Sequence, residues 1–314
     1  MTKDQEIAFK KLLEYSSDLE NVDYEEIKDI ISKSIRQVPI ATAFLRKDWF
    51  IDRVRVNKGT ELFTKEDEIS YIKDQYVVDN YLTQFGRANK PHQVMFYGAV
   101  KSSGIWQPRA TAIFETSQLL KDKDAVNVEG ELLTVSRWKV LEDILLIEIV
   151  FDDEAIRKNP DTRAAFNHHM QQIAHHPLRE MGLRQIQFFS KEFAKKVDND
   201  WEYKISVAYT DLILYDKKPS INGYPIEGIA FPSVPSDHKG QNVVLRPDVV
   251  DAKLELEVVS THIVHKNKMK SFVNNHKYVT DFGEDNSAFK WADIASEHVV
   301  PLKDVKRNHL GMNE

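Results

Sequence analysis

A chain of 314 residues, 42% hydrophobic and 29% charged, is long enough for one large domain or two ordinary ones and too apolar to stay disordered. Its net charge of −6 argues against a general nucleic-acid-binding surface, which needs Lys and Arg in excess to displace counterions, but leaves room for a local basic pocket. The absence of cysteine excludes disulfides, thiolate catalysis and cysteine-based zinc sites, so any chemistry falls to Arg, Tyr, Glu, Asp, Ser or His.

No apolar run approaches the roughly 20 residues needed to span a bilayer. The opening MTKDQEIAFKK carries no apolar signal segment. A cytoplasmic protein is the expectation. Residues 3–37 read as two helices that cover a sheet edge or form a lead-in layer. The second is opened by Asp23 with Glu26 three residues on, a capping-box spacing, before Ile27, Ile30 and Ile31 at helical intervals. Residues 49–56 alternate polar and apolar as a strand, which puts Arg53 and Arg55 on one face, where two cations invite an anion. A solvated strand face with Asp52 or Glu61 nearby is the plainer reading. Residues 58–81 are polar and tyrosine-rich and read as a long loop with short helical turns, a length typical of lids and binding loops.

Residues 85–116 hold the densest chemistry. A Gly-Arg-Ala-Asn turn with Arg87 leads to a short apolar strand with Tyr97, a polar loop, and an apolar helix carrying Glu115. Such a unit can bring a strand-end aromatic and a helix carboxylate to the rim of one cleft. Residues 130–140 and 143–151 are β-rich runs separated by Leu141-Glu142 and read as a hairpin in the sheet core. Residues 160–196 have a helical pattern with a break near His176-Pro177 and Gly182, and Ile205, Ala208, Tyr209 and Leu212 continue it at i, i+3, i+4, i+7. The pairs His168-His169 and His175-His176 match no metal-binding spacing, and no metal is expected.

Residues 221–234 read as an Asn222-Gly223 turn and a strand with Ser233 at its end. Residues 242–245 form another short strand, and 252–264 alternate Leu254, Leu256 and Val258 as a further one. Past His265 the chain turns polar and reads as a partly ordered tail with a short helix. The expected division is an N-terminal helical extension over residues 1–48, a main domain over 49–264 and a tail over 265–314. The expected class is α+β, with a mixed or antiparallel sheet core and flanking helices.

The ordered set formed by Arg53-Val54-Arg55, the turn at Arg87, Phe96-Tyr97-Gly98-Ala99, the helix ending in Glu115, and Gly228–Ser233 followed by Gln241-Asn242 resembles the RES-domain family, over residues 50–245. The resemblance implies an ADP-ribosyltransferase-like fold. It also implies an NAD-degrading enzyme, a phosphorylase or glycohydrolase that acts as the toxin of a toxin-antitoxin pair with a helix-turn-helix protein partner. On this reading Glu115, Tyr97 and Arg55 are catalytic, while Arg53, Arg87, Ser233 and Asn242 bind NAD, which is substrate rather than resident cofactor. Either Arg53 or Arg55 fits the family's arginine. Phe231 stands where the family often has tyrosine.

Cleaving the nicotinamide–ribose bond needs the dinucleotide gripped, the ring held against a flat surface and a carboxylate near the developing oxocarbenium charge. Arginine suits the bidentate phosphate contacts and tyrosine the stacking. Each residue also has a plainer role: Tyr97 as a core aromatic, Glu115 as the exposed position of an amphipathic helix, Ser233 as a turn serine and Asn242 as a turn cap. The acceptor is open among water, inorganic phosphate and a protein side chain, the last giving an ADP-ribosyltransferase. An idle nucleotide-binding or interaction module, with or without homo-oligomerisation, is the rival class. No direct nucleic-acid or membrane partner is expected.

Overall fold

The computed structural model describes residues 3–34, 40–177 and 179–312. Strands are β1 (Thr42–Leu45), β2 (Phe50–Val56), β3 (Phe96–Val100), β4 (Asn127–Val140), β5 (Ile144–Glu148), β6 (Ser220–Ile221), β7 (Tyr224–Pro232), β8 (Gln241–Leu245), β9 (Leu254–Lys266), β10 (Ser271–Asp281) and β11 (Lys290–Asp293). Ten follow one hydrogen-bonded path, β1-β5-β7-β8-β3-β2-β4-β9-β10-β11, and β6 pairs with β7. The β5–β7 pair is parallel and its neighbours in the path are antiparallel, so the protein is α+β around a large mixed sheet.

The helices are α1 (Lys3–Tyr15), α2 (Tyr24–Ser34), α3 (Gln75–Tyr81), α4 (Pro108–Thr116), α5 (Gln118–Lys121), α6 (Asp153–Lys158), α7 (Pro160–Gln172), α8 (Arg179–Ala194), α9 (Lys204–Asp211) and α10 (Pro247–Lys253). Asp23 caps α2 by accepting from the Glu25 and Glu26 amides at 2.9 and 3.1 Å. The side chain of Glu26 does not close the box; it turns to the Lys11 ammonium and the Tyr15 hydroxyl on α1 instead. Residues 35–37, included in the expected second helix, lie outside the described residues. The break near Pro177 separates α7 from α8, whereas Gly182 is buried inside α8 and interrupts nothing. The i, i+3, i+4, i+7 stripe on α9 is buried as its spacing requires, with Ile205 and Ala208 at 0% exposure.

Three of the apolar clusters position the site. Phe9, Leu12, Ile27 and Ile31 pack with Phe189, Tyr209 and Leu212 against Ile229, Phe231 and Val244, so the N-terminal helices join α8 and α9 in covering one face of the sheet. Ala112, Ile113 and Leu119 of α4 and α5 pack on Val54, Ala99, Leu133 and Val264. Ile51, Phe96, Trp138, Ile144, Leu146, Val243 and Val259 form one cluster, and because only residues 141–143 link β4 to β5, five places apart along the path, the sheet must curl upon itself.

The curl overturns the expected hairpin. The two β-rich runs become β4 and β5 but do not pair: one edge of β4 is taken by β2 and the other by β9, while β5 lies between β1 and β7. The Leu141-Glu142 link lacks the Gly or Asn that a two-residue hairpin turn needs for positive φ. By contrast Asn222 (φ 51°) and Gly223 (φ 85°) supply it, and β6 and β7 do form a hairpin.

Two further expectations need correction. On β9 the pairs Arg137↔Val258 and Trp138↔Leu256 leave Glu257 as an extra bulged residue, which flips the alternation so that Val258 is exposed and Val259 is buried. The polar stretch after His265 is not a loose tail: β10 and β11 extend the sheet, and the Trp291 indole donates to the Phe63 carbonyl at 2.9 Å.

Trp138 is 1% exposed and meets Phe96 edge-to-face at 5.4 Å in the cluster where the curled sheet closes. Trp138→Ala is expected to lower unfolding free energy by about 3–5 kcal/mol in a denaturant melt. A loss below about 1 kcal/mol would show that this contact does not hold the curl closed.

Candidate functional site

The site begins where two strands part. β2 and β3 pair over Ile51↔Val100 and Asp52↔Ala99, and beyond that point they diverge. Arg53 fills the split. Its Nη1 donates to the Tyr97 carbonyl at 2.7 Å and its Nε to the Ile69 carbonyl at 3.2 Å, satisfying backbone acceptors that the ladder no longer reaches. Gly98 sits beside it, and a Cβ there would fall 2.4 Å from Ile51 Cγ2. Burial, then repulsion from Arg55, lowers the Arg53 guanidinium to about 9, which leaves it cationic at neutral pH.

Tyr97 then ties the strand to the preceding turn. Its hydroxyl accepts from the Ala88 amide at 2.9 Å and donates to Asn89 Oδ1 at 2.8 Å. Burial pushes the phenol well above the usual tyrosine range, so it stays protonated. With both functions of the hydroxyl occupied, the ring is the part of Tyr97 left for a ligand. The turn so braced carries Arg87, whose guanidinium donates to the Phe193 carbonyl and, at 3.3 Å, to the Lys195 carbonyl beyond the end of α8. It also lies 5.0 Å from the ring centre of Tyr203. Among the described residues neither Arg53 nor Arg87 has a carboxylate partner.

The carboxylate comes from α4. Pro108 starts this helix at a position where its missing N–H costs nothing, and Thr111, Ala112 and Ile113 bury its inner face. Glu115 falls four residues after Thr111 and three after Ala112, hence on the sheet-facing side, while Phe114 takes the exposed position. Asn242 on β8 donates to Glu115 Oε1 at 2.6 Å. Asn242 is therefore no turn cap but a buried strand residue that fixes the carboxylate.

Arg53, Arg87, Tyr97, Glu115 and Asn242 all line one pocket of about 230 Å³, together with Gly98 and Phe231. Two expected residues do not. Arg55 shares the side of β2 with Arg53, as the alternation requires, but donates to the Glu68 carbonyl and lies over Phe63, clasping the loop before α3. Ser233 is fully buried and accepts from the Ser236 amide at 3.3 Å, the role of a turn serine. The plainer reading of Arg53 fails as well, because Asp52 pairs with Arg137 at 2.8 Å rather than with its neighbours.

Sequence reasoning missed Tyr203, which lines the pocket from the turn before α9, and Lys121 at the end of α5. Burial lowers the Lys121 ammonium, with Glu115 opposing and Arg87 reinforcing that shift, which places it within electrostatic reach of both. Neither residue carries a spacing signal; both arrive by long-range packing. Among the described residues no three His, Cys, Asp or Glu side chains could hold a metal ion, and no helix is long and apolar enough to cross a membrane. His169 is buried against Phe151 with both ring nitrogens unpartnered.

The chain matches no protein-family model and no curated protein. The pocket brings together two guanidiniums, one oriented carboxylate and aromatic rings at a cleft between strands.

The two roles of Tyr97 are separable. Tyr97→Phe keeps the ring but strands the amide of Ala88, which is 0% exposed, so stability is expected to fall by about 1–3 kcal/mol. Ligand affinity per folded molecule, measured by calorimetry below the melting range, is expected to stay within about threefold of wild type. A large affinity loss without a stability loss would reassign the hydroxyl to ligand contact.

Proposed function

We propose that this protein cleaves the bond between nicotinamide and ribose in NAD. The observation that carries the reading is the convergence of Arg53, Arg87, Tyr97, Glu115 and Asn242 on one pocket from four separate stretches of chain. A structural carboxylate of this kind would ordinarily neutralise one of the nearby arginines; here the arginines hold backbone carbonyls and the carboxylate is held by a neutral amide.

That separation of charges suits the reaction. As the C1′–N bond breaks, both electrons pass to the pyridinium nitrogen and nicotinamide leaves neutral, so no proton donor is needed. Positive charge develops at C1′, where the Glu115 carboxylate stabilises it and accepts a hydrogen bond from a ribose hydroxyl. Arg53 and Arg87 present guanidinium donors to the pyrophosphate. The rings of Tyr97 and Tyr203 supply flat surfaces for nicotinamide. A pocket of about 230 Å³ lies just below the ~300–1,000 Å³ of typical small-molecule sites, which fits nicotinamide and its ribose, with the adenylate half extending outside.

The reading includes the RES-like, ADP-ribosyltransferase-related fold. The acceptor that completes the reaction is water or inorganic phosphate, either of which adds at C1′ and gives up a proton to solvent. An unguarded site of this kind would drain an essential cofactor, so the proposal extends to a toxin role and a restraining helix-turn-helix partner seated over the pocket mouth.

Glu115→Gln preserves shape and the contact to Asn242, and is expected to cut nicotinamide release by ~10²–10³ with an unchanged melting curve. Chromatography of the wild-type products with and without inorganic phosphate distinguishes ADP-ribose from its 1″-phosphate. Wild-type-like release by a folded Glu115→Gln protein would sink the catalytic role of Glu115. NAD binding without any release by the wild type would leave a nucleotide-binding module instead.

A further inference from the structure

The larger cavity is on the other side of the sheet. Along β7 and β8, Phe231 and Asn242 face the pocket just described, while their neighbours Ala230, Gln241 and Val243 line a second one of about 600 Å³. Its walls are mostly apolar, built from Phe44, Leu45, Trp49, Phe50 and Leu146 besides the β7 and β8 residues. A volume of this size falls within the ~300–1,000 Å³ of small-molecule sites.

Two polar side chains in its lining, Gln241 and Glu148, carry acceptors without donors among the described residues. Gln241 is nine-tenths buried, and its Oε1 has no hydrogen-bond partner. The side chain of Glu148, at the end of β5, makes no hydrogen bond or ion pair among the described residues. Its surroundings offer no compensation: burial, then repulsion from Asp161 on α7, raises its carboxyl to about 7. Asp161 is itself saturated by the Ser103 amide and hydroxyl, both at 2.6 Å. Asp48 on the rim pairs with Lys139 at 3.1 Å. The one cation in the lining, Lys101, holds its ammonium 3.2 Å from the Trp106 ring centre and is not among the charges acting on Glu148.

A half-buried carboxylate without a countercharge in a largely apolar cavity is costly unless something supplies a hydrogen-bond donor and positive charge. We propose that this second pocket binds a small organic cation, an ammonium or amidinium on an aromatic or aliphatic body, with its head at the Glu148 carboxylate and its body against Trp49 and Phe50. Neutral donors bring Glu148 no countercharge, and anions meet the carboxylates of Asp48, Glu148 and Asp161. The inference is independent of the NAD reading, because no residue of the first pocket takes part.

Calorimetry on the full chain at pH 7 with 2-phenylethylamine, 2-phenylethanol and 3-phenylpropionate tests it. The amine is expected to bind about tenfold to a hundredfold more tightly than the isosteric alcohol, the increment for a hydrogen bond to a charged group, and the carboxylate more weakly than both. Glu148→Gln is expected to remove that advantage while leaving alcohol binding and nicotinamide release unchanged. A readout without any variant comes from repeating the wild-type titration in buffers of different ionisation enthalpy, where amine binding should release protons as Glu148 ionises. Equal affinity for amine and alcohol, or no binding of the amine, would overturn the proposal. So would amine binding without proton release, or undiminished in Glu148→Gln.

Discussion

Everything in the molecule depends on the pairing of β3 with β8, five registered residues from Phe96↔Leu245 to Val100↔Gln241. On one side of this seam lie β7, β5 and β1; on the other lie β2, β4, β9, β10 and β11. Among the described residues the seam is the single ladder joining the two groups, and Trp138, Phe96 and Val243 pack in one cluster across it. Both pockets border it. One uses Asn242 and the other Gln241, adjacent residues of the same short strand that a strand's alternation sends to opposite faces.

The charge pattern around the seam is unusual for a folding device. Isolated guanidiniums are normally kept in the interior by carboxylates, because desolvation otherwise disfavours them. Arg53 and Arg87 are held instead by carbonyl oxygens of Tyr97, Ile69, Phe193 and Lys195. Carbonyl dipoles stabilise a cation without cancelling its charge, so both guanidiniums remain charged groups of the first pocket beside the single carboxylate of Glu115. The net charge of the whole chain points the other way, which makes this a local field set by geometry rather than by composition.

Much of this was legible beforehand, and the failures have a common cause. Where a residue's role follows from its neighbours in sequence, the reading held: the stripe on α9, the Asn222-Gly223 turn, the capping of α2 by Asp23, the shared face of Arg53 and Arg55. Where the role depends on which edge meets which, it did not. The β4–β5 hairpin failed because both edges of β4 were already taken, and the phase of β9 failed at a one-residue bulge. The polar appearance of residues 271–293 concealed strands because this end of the antiparallel sheet is half-solvated and carries polar side chains on its outer face. In the site, local order led to Glu115 and Tyr97, but Arg55 and Arg53 could be told apart only by the divergence of β2 from β3, and Tyr203 and Lys121 had no local signature at all.

The contact between Asn242 and Glu115 spans 127 residues of sequence. On a ribosome adding roughly 5–20 residues each second, the carboxylate is made about 6–25 s before the amide that orients it. Throughout that interval β3 has no β8 along one edge and the first pocket lacks a wall. A nascent chain therefore carries its arginines, its tyrosine and its glutamate without the geometry that brings them to one pocket, which is completed late in synthesis, when the seam closes. Over the same seconds the bare edge of β3 is the part of the chain most open to the wrong strand.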